Sequence, residues 1–382
     1  MLFDIFSDWP YNTFVHRKLS AKEGKTVKKT LIAWIVLAAL CLLPVLAAAE
    51  GEDAAVLMSF VGDCSLGDSY NVREYTGSYH KVLDEKGYGW PFSLIGDYLK
   101  NDDWTVANLE VVLTTRRNHV DKNHPLVGAP DHVNVLTESS VEMVNTVNNH
   151  CMDFYVEGYR QTLETLDQAG VQHFGTVYPN RPEGSDILGE VEIKGIRFGF
   201  IGFSYPQDSD LKRIAARIAV LKEERGCDLV IVSMHWGRET HMTPESEQAK
   251  FARDIINAGA DMIWGHHPHV LQPIQVYNGK LILYSTGNFT FGTMSKVDPS
   301  TGIFQITAER VDGKAEITEL RVIPCQTQGN GDYRPFELTD EKERKAVFKK
   351  LTWNKTYYGM ENLPASFLET GVVRFENGQM VP

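Results

Sequence analysis

Three imidazoles occupy four positions in the stretch Trp264-Gly265-His266-His267-Pro268-His269-Val270, directly after the short apolar run that ends at Trp264. Neutral imidazole is the commonest side-chain metal ligand near pH 7, and a His-x-His pair leaving a strand can aim two rings at one point. One histidine at such a place needs no explanation, but three in one turn predict a metal-binding role. Four further segments supply matching donors: Gly62-Asp63, Asn108-Leu109-Glu110, Asn148-Asn149-His150 and His235-Trp236-Gly237. Each follows a short apolar run (SFV, WTVA, VNTV and LVIVSM), so each is expected at the carboxyl end of a strand. In open α/β sheets the ligand crevice lies beyond those ends, where separate segments converge. Two carboxylates, asparagine and at least four histidines at five strand ends are the inventory of a dinuclear centre holding cations ~3.5 to 4 Å apart.

The elements that must position these residues are visible as a change of period. From about residue 55, AVLMSFV, WTVA, EMVNTV, IRFGFIGFS, LVIVSM, DMIW and LILYS read as strands, while GYRQTLETLDQAG and ESEQAKFARDIINAG read as helices stopped by glycine. In the second helix Phe251, Ile255, Ile256 and Ala258 form an apolar stripe and Gly259 supplies the stop. Alternation of this kind predicts an α/β sandwich with a largely parallel, buried sheet. After about residue 330 the composition changes, and FELTDEKERKAVFKK reads as a surface helix followed by a loop-rich tail. Residues 331–382 are therefore expected to be a helical and loop appendage to a domain spanning 55–330.

The chain of 382 residues is 43% hydrophobic and 23% charged, a normal globular balance with ample material for a core. Its net charge of -12 argues against a general nucleic-acid binder, and a polyanionic ligand would require a local basic patch. Residues 31–49, LIAWIVLAALCLLPVLAAA, carry no charge and follow a basic tail over residues 1–30 that includes Arg17, Lys18, Lys22, Lys25, Lys28 and Lys29. That pattern predicts export, with the basic flank left in the cytoplasm. The expectation is a single-pass membrane anchor with the domain outside the cytoplasm, or a secreted protein if cleavage follows Ala49. The cysteines are sparse and without CxxC spacing. Cys64 and Cys151, though beside two of the polar motifs, are not expected to be ligands, nor is a disulfide-dependent fold expected.

Taken in order, VGDCSLG, VANLEVVLT, VNNHCMD with GYRQTLETLDQAGVQHFGT, VSMHWGRE and the long block GADMIWGHHPHVLQPIQVYNGKLILYSTGNFTFG resemble the motifs of the CapA family of bacterial capsule synthesis proteins. That family is associated with poly-gamma-glutamate capsules and belongs to the calcineurin-like metallophosphoesterase superfamily. The resemblance covers roughly residues 55–295. It implies a four-layer α-β-β-α sandwich holding two divalent metal ions (Mn, Fe or Zn). It makes Asp63 a first ligand, Asn108 or Glu110 the position of the bridging carboxylate, Asn149 a ligand of the second metal, and His235, His267 and His269 the histidine ligands. His150 is implied as the acid that protonates a leaving group, and His266 as a partner that orients a ligand or as a substrate contact. Two features depart from the superfamily's pattern: Ser65 stands where a histidine usually follows the first Asp, and Asn108 with Glu110 replaces a bridging Asp.

The function implied is that of an exported metallophosphatase-like protein acting in biosynthesis, release or attachment of an anionic capsule polymer, at a phosphoester or amide bond, with a membrane capsule synthase as a partner. The alternatives are a general extracytoplasmic phosphodiesterase or nucleotidase, and a non-catalytic scaffold subunit of a capsule synthase.

Overall fold

The computed structural model describes residues 54–176, 186–292, 297–329, 331–352 and 359–381. The expected basic tail and the apolar segment 31–49 lie outside the described residues. Among the described residues no helix is long and apolar enough to cross a membrane.

The chain forms a mixed α/β fold around two large sheets. In the first, β1 (Val56–Cys64), β2 (Trp104–Leu109), β3 (Met143–Asn145) and β4 (Gln172–Thr176) run side by side and parallel. In the second, β5 (Gly189–Ile193) lies antiparallel to β6 (Ile196–Ser204), after which β7 (Leu229–His235) and β8 (Met262–His266) continue parallel. The hairpin of β9 (Ile274–Tyr277) and β10 (Lys280–Leu283) extends that sheet, with β10 parallel to β8. The chain then returns to the first sheet. β11 (Asn288–Thr290) pairs parallel with the end of β1, and the long hairpin β12 (Ser300–Val311) and β13 (Lys314–Thr327) adds antiparallel strands on the same side of β1, opposite β2.

The sheets are therefore parallel at their centres and antiparallel at their margins. The long hairpin is the main element not anticipated above. Its Asp312-Gly313 turn, with both residues at positive φ, is the turn chemistry a two-residue hairpin demands.

The main core lies between the sheets. Met58, Phe60, Val106, Met143 and Phe174 of the first sheet meet Phe198, Phe200, Ile231, Met262 and Trp264 of the second. Phe60 meets the Trp264 ring edge-on at 5.3 Å between centroids, a favoured aromatic geometry. The other face of the first sheet packs Ala107, Leu109 and Val144 against Tyr79, Val82 and Leu83 of α1 (Tyr79–Lys86) and Leu166 of α2 (Tyr155–Ala169). The other face of the second packs Ile201, Val230, Val232 and Ile263 against Ile214 and Ile218 of α3 (Leu211–Ala219) and Phe251, Ala252 and Ile255 of α4 (Ser246–Asn257). Strands buried on both faces explain why their sequences read as continuous apolar runs. Ile231→Val, which removes one methyl group from this core, is expected to cost about 0.5–1.5 kcal/mol in urea unfolding.

The segment after residue 330 is woven into the sheets. β14 (Val372–Glu376) pairs with β13, and Glu361–Asn362 pairs with β9. α5 (Glu341–Leu351) is exposed on one face, but Val347, Phe348 and Leu351 on the other belong to the main core. The hydrophobic minority of a highly charged helix thus fixes it to the body of the fold.

Candidate metal centre

The parallel strands end together, and their ends carry the polar residues. The register places Asp63 beside Asn108, Asn108 beside Asn145, Asp63 beside Asn288, and His235 beside His266. Close backbone approach is needed to bring β1 and β8 onto their neighbours. A Cβ at Gly62 would lie 1.9 Å from the Gly287 carbonyl oxygen, and one at Gly265 would lie 2.0 Å from that of Tyr284. Glycine at these two positions is therefore a steric requirement for placing Asp63 and the histidine turn.

Asp63 is completely buried and held from three sides. Asn108 Nδ2 donates to its Oδ1 at 2.8 Å, His266 Nδ1 meets the same oxygen at 3.0 Å, and the His267 backbone N–H donates to Oδ2 at 3.4 Å. Asn108 is held in turn by Asn145, whose Nδ2 donates to Asn108 Oδ1 at 2.8 Å. Burial opposes ionisation of Asp63, but the His266 and His269 imidazoles outweigh it and hold the carboxyl well below its ordinary range.

Glu110 presents the opposite case. It is fully buried, and neither carboxylate oxygen has a hydrogen-bond partner. Around its Oε1 stand His235 Nε2 at 3.8 Å, His269 Nε2 at 3.8 Å and His150 Nε2 at 3.9 Å, all beyond hydrogen-bond reach. Burial, reinforced by the Asp63 charge, pushes the Glu110 carboxyl well above its ordinary range. A buried carboxylate normally has partners, and leaving it without them is costly. Three imidazole nitrogens spaced around it at nearly 4 Å leave room for a cation that touches both sides, since Zn–N and Zn–O distances are ~2.0–2.2 Å.

Two sets of donor atoms, Glu110 with His267 and His269, and Asp63 with Glu110 and His235, each lie within 4.8 Å of one another. Glu110 belongs to both. The donor chemistry, imidazole with carboxylate, fits a borderline divalent ion.

The surrounding residues set the rings. Asn149 Oδ1 is 2.9 Å from His235 Nε2, and Asn288 Oδ1 is 2.8 Å from His269 Nδ1. Burial lowers the pKa of His235 and His266, and that of His267 to about 4, so these rings are neutral and available as ligands. His269 is the exception: burial lowers it, but Glu110 and Asp63 together carry it up to about 9. His150 Nδ1 lies 2.7 Å from Asp153 Oδ2, while Lys122 Nζ donates to Asp153 Oδ1 at 2.8 Å.

The fold thus brings together every residue singled out in the sequence: Asp63, Asn108, Glu110, Asn149, His150, His235, His266, His267 and His269. Its local reasons differ from residue to residue. Asn108 has both amide atoms engaged inside the protein, by Asp63 and Asn145. His266 is fully buried behind Asp63, edge-on to the Trp264 ring at 4.1 Å. Ser65 turns away, donating to Gly67 O and accepting from Gly292 N. The Cys64, Cys151, Cys227 and Cys325 thiols are free and buried, and Cys64 and Cys151 hydrogen-bond to backbone carbonyls.

Sequence reasoning did not single out Asn145, Asp153, Lys122, Asn288 or Tyr205. Asn145 and Asn288 were detectable as polar residues inside apolar strand patterns. Tyr205 carried no such signal. Its hydroxyl lies 2.5 Å from His267 Nε2, and it adopts φ 44° although it is not glycine; His267 and His269, at φ 94° and 58°, share that left-handed conformation. Left-handed backbone at bulky residues is strained, and strain of this kind concentrates at functional sites.

These strand ends define an α/β protein with a buried carboxylate and imidazole cluster suited to divalent cations. The family described as bacterial capsule synthesis protein PGA_cap matches residues 57–293, and the chain belongs to that family. It is 32% identical over 257 residues to the PGA biosynthesis protein CapA of Bacillus subtilis (strain 168), covering 63% of this chain and 64% of that protein. It is 30% identical over 323 residues to the capsule biosynthesis protein CapA of Bacillus anthracis, covering 79% of this chain and 74% of that protein. A probable polyglutamine synthesis accessory protein of Mycobacterium tuberculosis is 30% identical over 223 residues, 52% of this chain and 59% of its own length.

The division of labour between the adjacent histidines is open to direct test. His267→Ala is expected to remove most bound metal, measured by elemental analysis. His266→Ala is expected to weaken binding about 10- to 100-fold by loosening Asp63. The reverse order would assign the ligand role to His266.

Proposed function

We propose that this chain acts in the biosynthesis, release or attachment of an anionic capsule polymer, with poly-gamma-glutamate as its polymer, and that its domain is a metal-dependent hydrolase. The observation that carries the hydrolase reading is Glu110, a buried carboxylate without a hydrogen bond, standing among three imidazole nitrogens at 3.8 to 3.9 Å. Family membership and the names of the three relatives support the capsule role. Two sheets face to face, with helices on both outer faces, support reading the fold as the four-layer α-β-β-α sandwich of metallophosphoesterases.

Asp63, Glu110, Asn149, His235, His267 and His269 would hold two divalent cations, with Glu110 and not Asn108 as the shared carboxylate. Asn108, Asn145 and His266 position Asp63. When bound, such ions supply Lewis-acid polarisation of the scissile phosphoester or amide and lower the pKa of an attacking water. The chain's own contribution is to hold those donors, exclude bulk water by burial, and present His150 Nε2, when protonated, to the departing atom. Asp153 accepts from His150 Nδ1 and so fixes the ring, and Lys122 fixes Asp153.

The domain acts outside the cytoplasm, exported by residues 31–49 and serving a membrane capsule synthase. The test of the chemistry is elemental analysis of the chain purified without chelators, with hydrolysis of bis-p-nitrophenyl phosphate measured after Mn addition. Two metals per chain and activity lost on chelation are expected. A metal-free chain that still restores capsule to a deficient strain would instead establish the scaffold reading. Export is tested separately by an alkaline phosphatase fusion after Pro382, whose inactivity would refute it.

A further inference from the structure

We infer that the groove lined by Arg73, Arg116 and Arg117 is a docking site for a polycarboxylate chain. The inference rests on the capsule-polymer reading above and names the residues that would grip the polymer.

The starting point is charge. The chain carries a net charge of -12, yet the loop Thr114–His124, TTRRNHVDKNH, contains Arg116, Arg117 and Lys122 against the single acid Asp121. A local excess of cations in an acidic protein costs solubility nothing and attracts polyanions. The groove beside this loop has a volume of about 230 Å³, and its charged lining is Arg73, Arg116 and Arg117 against the one acid Glu74, with His80 and His132 beside them. Arg116 and Arg117 are exposed, and among the described residues neither guanidinium has an acidic partner within ion-pair distance.

The cations are also pre-positioned. Arg73 lies over the Tyr70 ring at 3.8 Å from its centroid and donates to the Tyr70 carbonyl oxygen. Its one acidic neighbour, Glu74 at 3.5 Å, is shared with Lys81 at 3.2 Å. The loop backbone is pinned to α2, since Thr115 N donates to Gln161 Oε1 at 3.2 Å and Arg116 N donates to Thr114 Oγ1 at 3.1 Å. Arginine's planar fork matches a carboxylate with two parallel hydrogen bonds, and a backbone already fixed loses less entropy on binding.

The loop then runs to the reaction centre. It begins four residues after Glu110 and carries Lys122, which is paired with Asp153 at 2.8 Å and whose Nζ also donates to the Asn149 carbonyl oxygen at 3.1 Å and lies 3.2 Å from His150 Nδ1. At its far end His124 lines a second cavity of about 330 Å³. The same loop thus carries the groove's Arg116 and Arg117 at one end and, at Lys122, contacts the residues around His150 at the other.

The experiment is binding of fluorescein-labelled poly-gamma-glutamate to the full chain in EDTA, so that metal ions contribute nothing, with Arg116→Ala/Arg117→Ala and the charge reversal Arg116→Glu/Arg117→Glu compared with wild type. The double alanine variant is expected to bind at least about tenfold more weakly, since each lost charge-assisted hydrogen bond is worth about that factor. The reversal should bind more weakly still, and wild-type affinity should fall with added salt. Melting temperature and metal content of both variants should equal wild type, because both arginines are exposed and outside the metal cluster.

Unchanged affinity in the reversal variant would overturn the proposal. So would inorganic polyphosphate binding more tightly than the polycarboxylate at equal charge, which would assign the groove to phosphate polymers. Failure of this binding with metal content and hydrolysis intact refutes the groove alone. Arginine-dependent binding in a chain that takes up no metal refutes the hydrolase reading alone.

Discussion

Glu110→Gln is expected to invert the stability of the protein between metal-free and metal-loaded conditions. In EDTA at pH 7 the variant should melt above wild type; with excess Mn it should melt below it. The reason is the unpartnered carboxylate. Its pKa is raised by burial, with Asp63 reinforcing and His269 opposing. A carboxyl whose folded pKa lies above its unfolded value of about 4.3 contributes stability below that pH, and the contribution is lost as pH rises toward the folded pKa. At pH 7 the metal-free wild type has therefore lost stability that the non-titrating glutamine retains.

Metal reverses the balance. A ligand at 100 times its dissociation constant stabilises by about 2.7 kcal/mol, and a variant without the shared carboxylate gains little of it. Elemental analysis should find fewer ions per chain. Thermal melts that cross in this way separate an electrostatic role from a packing role, because glutamine keeps the shape. Equal metal content and parallel melts would remove Glu110 from the centre.

That Glu110 belongs to the site was legible only in part. Asn108 and Glu110 stand two apart, and in a continuing strand both would point to one face. The strand β2 instead ends at Leu109, and the Glu110 backbone N–H donates to the Cys64 carbonyl oxygen at 2.8 Å, a contact with β1 that no local pattern reveals. The two residues consequently take different tasks, Asn108 inside the Asp63 network and Glu110 inside the imidazole ring.

The strand ends themselves were readable because doubly buried strands are apolar until they leave the core. IRFGFIGFS matches β6 residue for residue, whereas AVLMSFV stops short of Asp63 because the polar site residues are the strand's own last positions. The antiparallel β12 and β13 hairpin was harder to read. β13 is only partly buried over Ala315–Glu319, and its charged residues mask the apolar period. α5 lies at the surface as its charge suggests, while Phe348 and Leu351 anchor its inner face to the core.

The last expected result concerns His150, and it should depend on the leaving group. Its Nδ1 is committed to Asp153, which also accepts the Leu126 backbone N–H at 2.7 Å, so the ring orientation is fixed and Nε2 faces the centre. A proton at Nε2 helps only when the departing atom is basic. His150→Ala should therefore cost about 10²- to 10⁴-fold in kcat on a substrate with a poor alkoxide or amine leaving group. On bis-p-nitrophenyl phosphate, whose nitrophenolate leaves without assistance, the loss should be far smaller. A residue that merely supports the fold would lower both rates alike, and equal losses would refute the acid role. The pH profile supplies a second readout. Burial lowers the His150 pKa, Lys122 and His269 reinforce that, and Asp153 opposes it. The protonated, active form is accordingly lost as pH rises, at a pH below the usual histidine value of about 6.5. Asp153→Asn removes the hydrogen-bonded charge that favours the imidazolium, so the alkaline limb of the rate should move to still lower pH with metal content unchanged. A limb that stays in place would show that Asp153 does not act through His150.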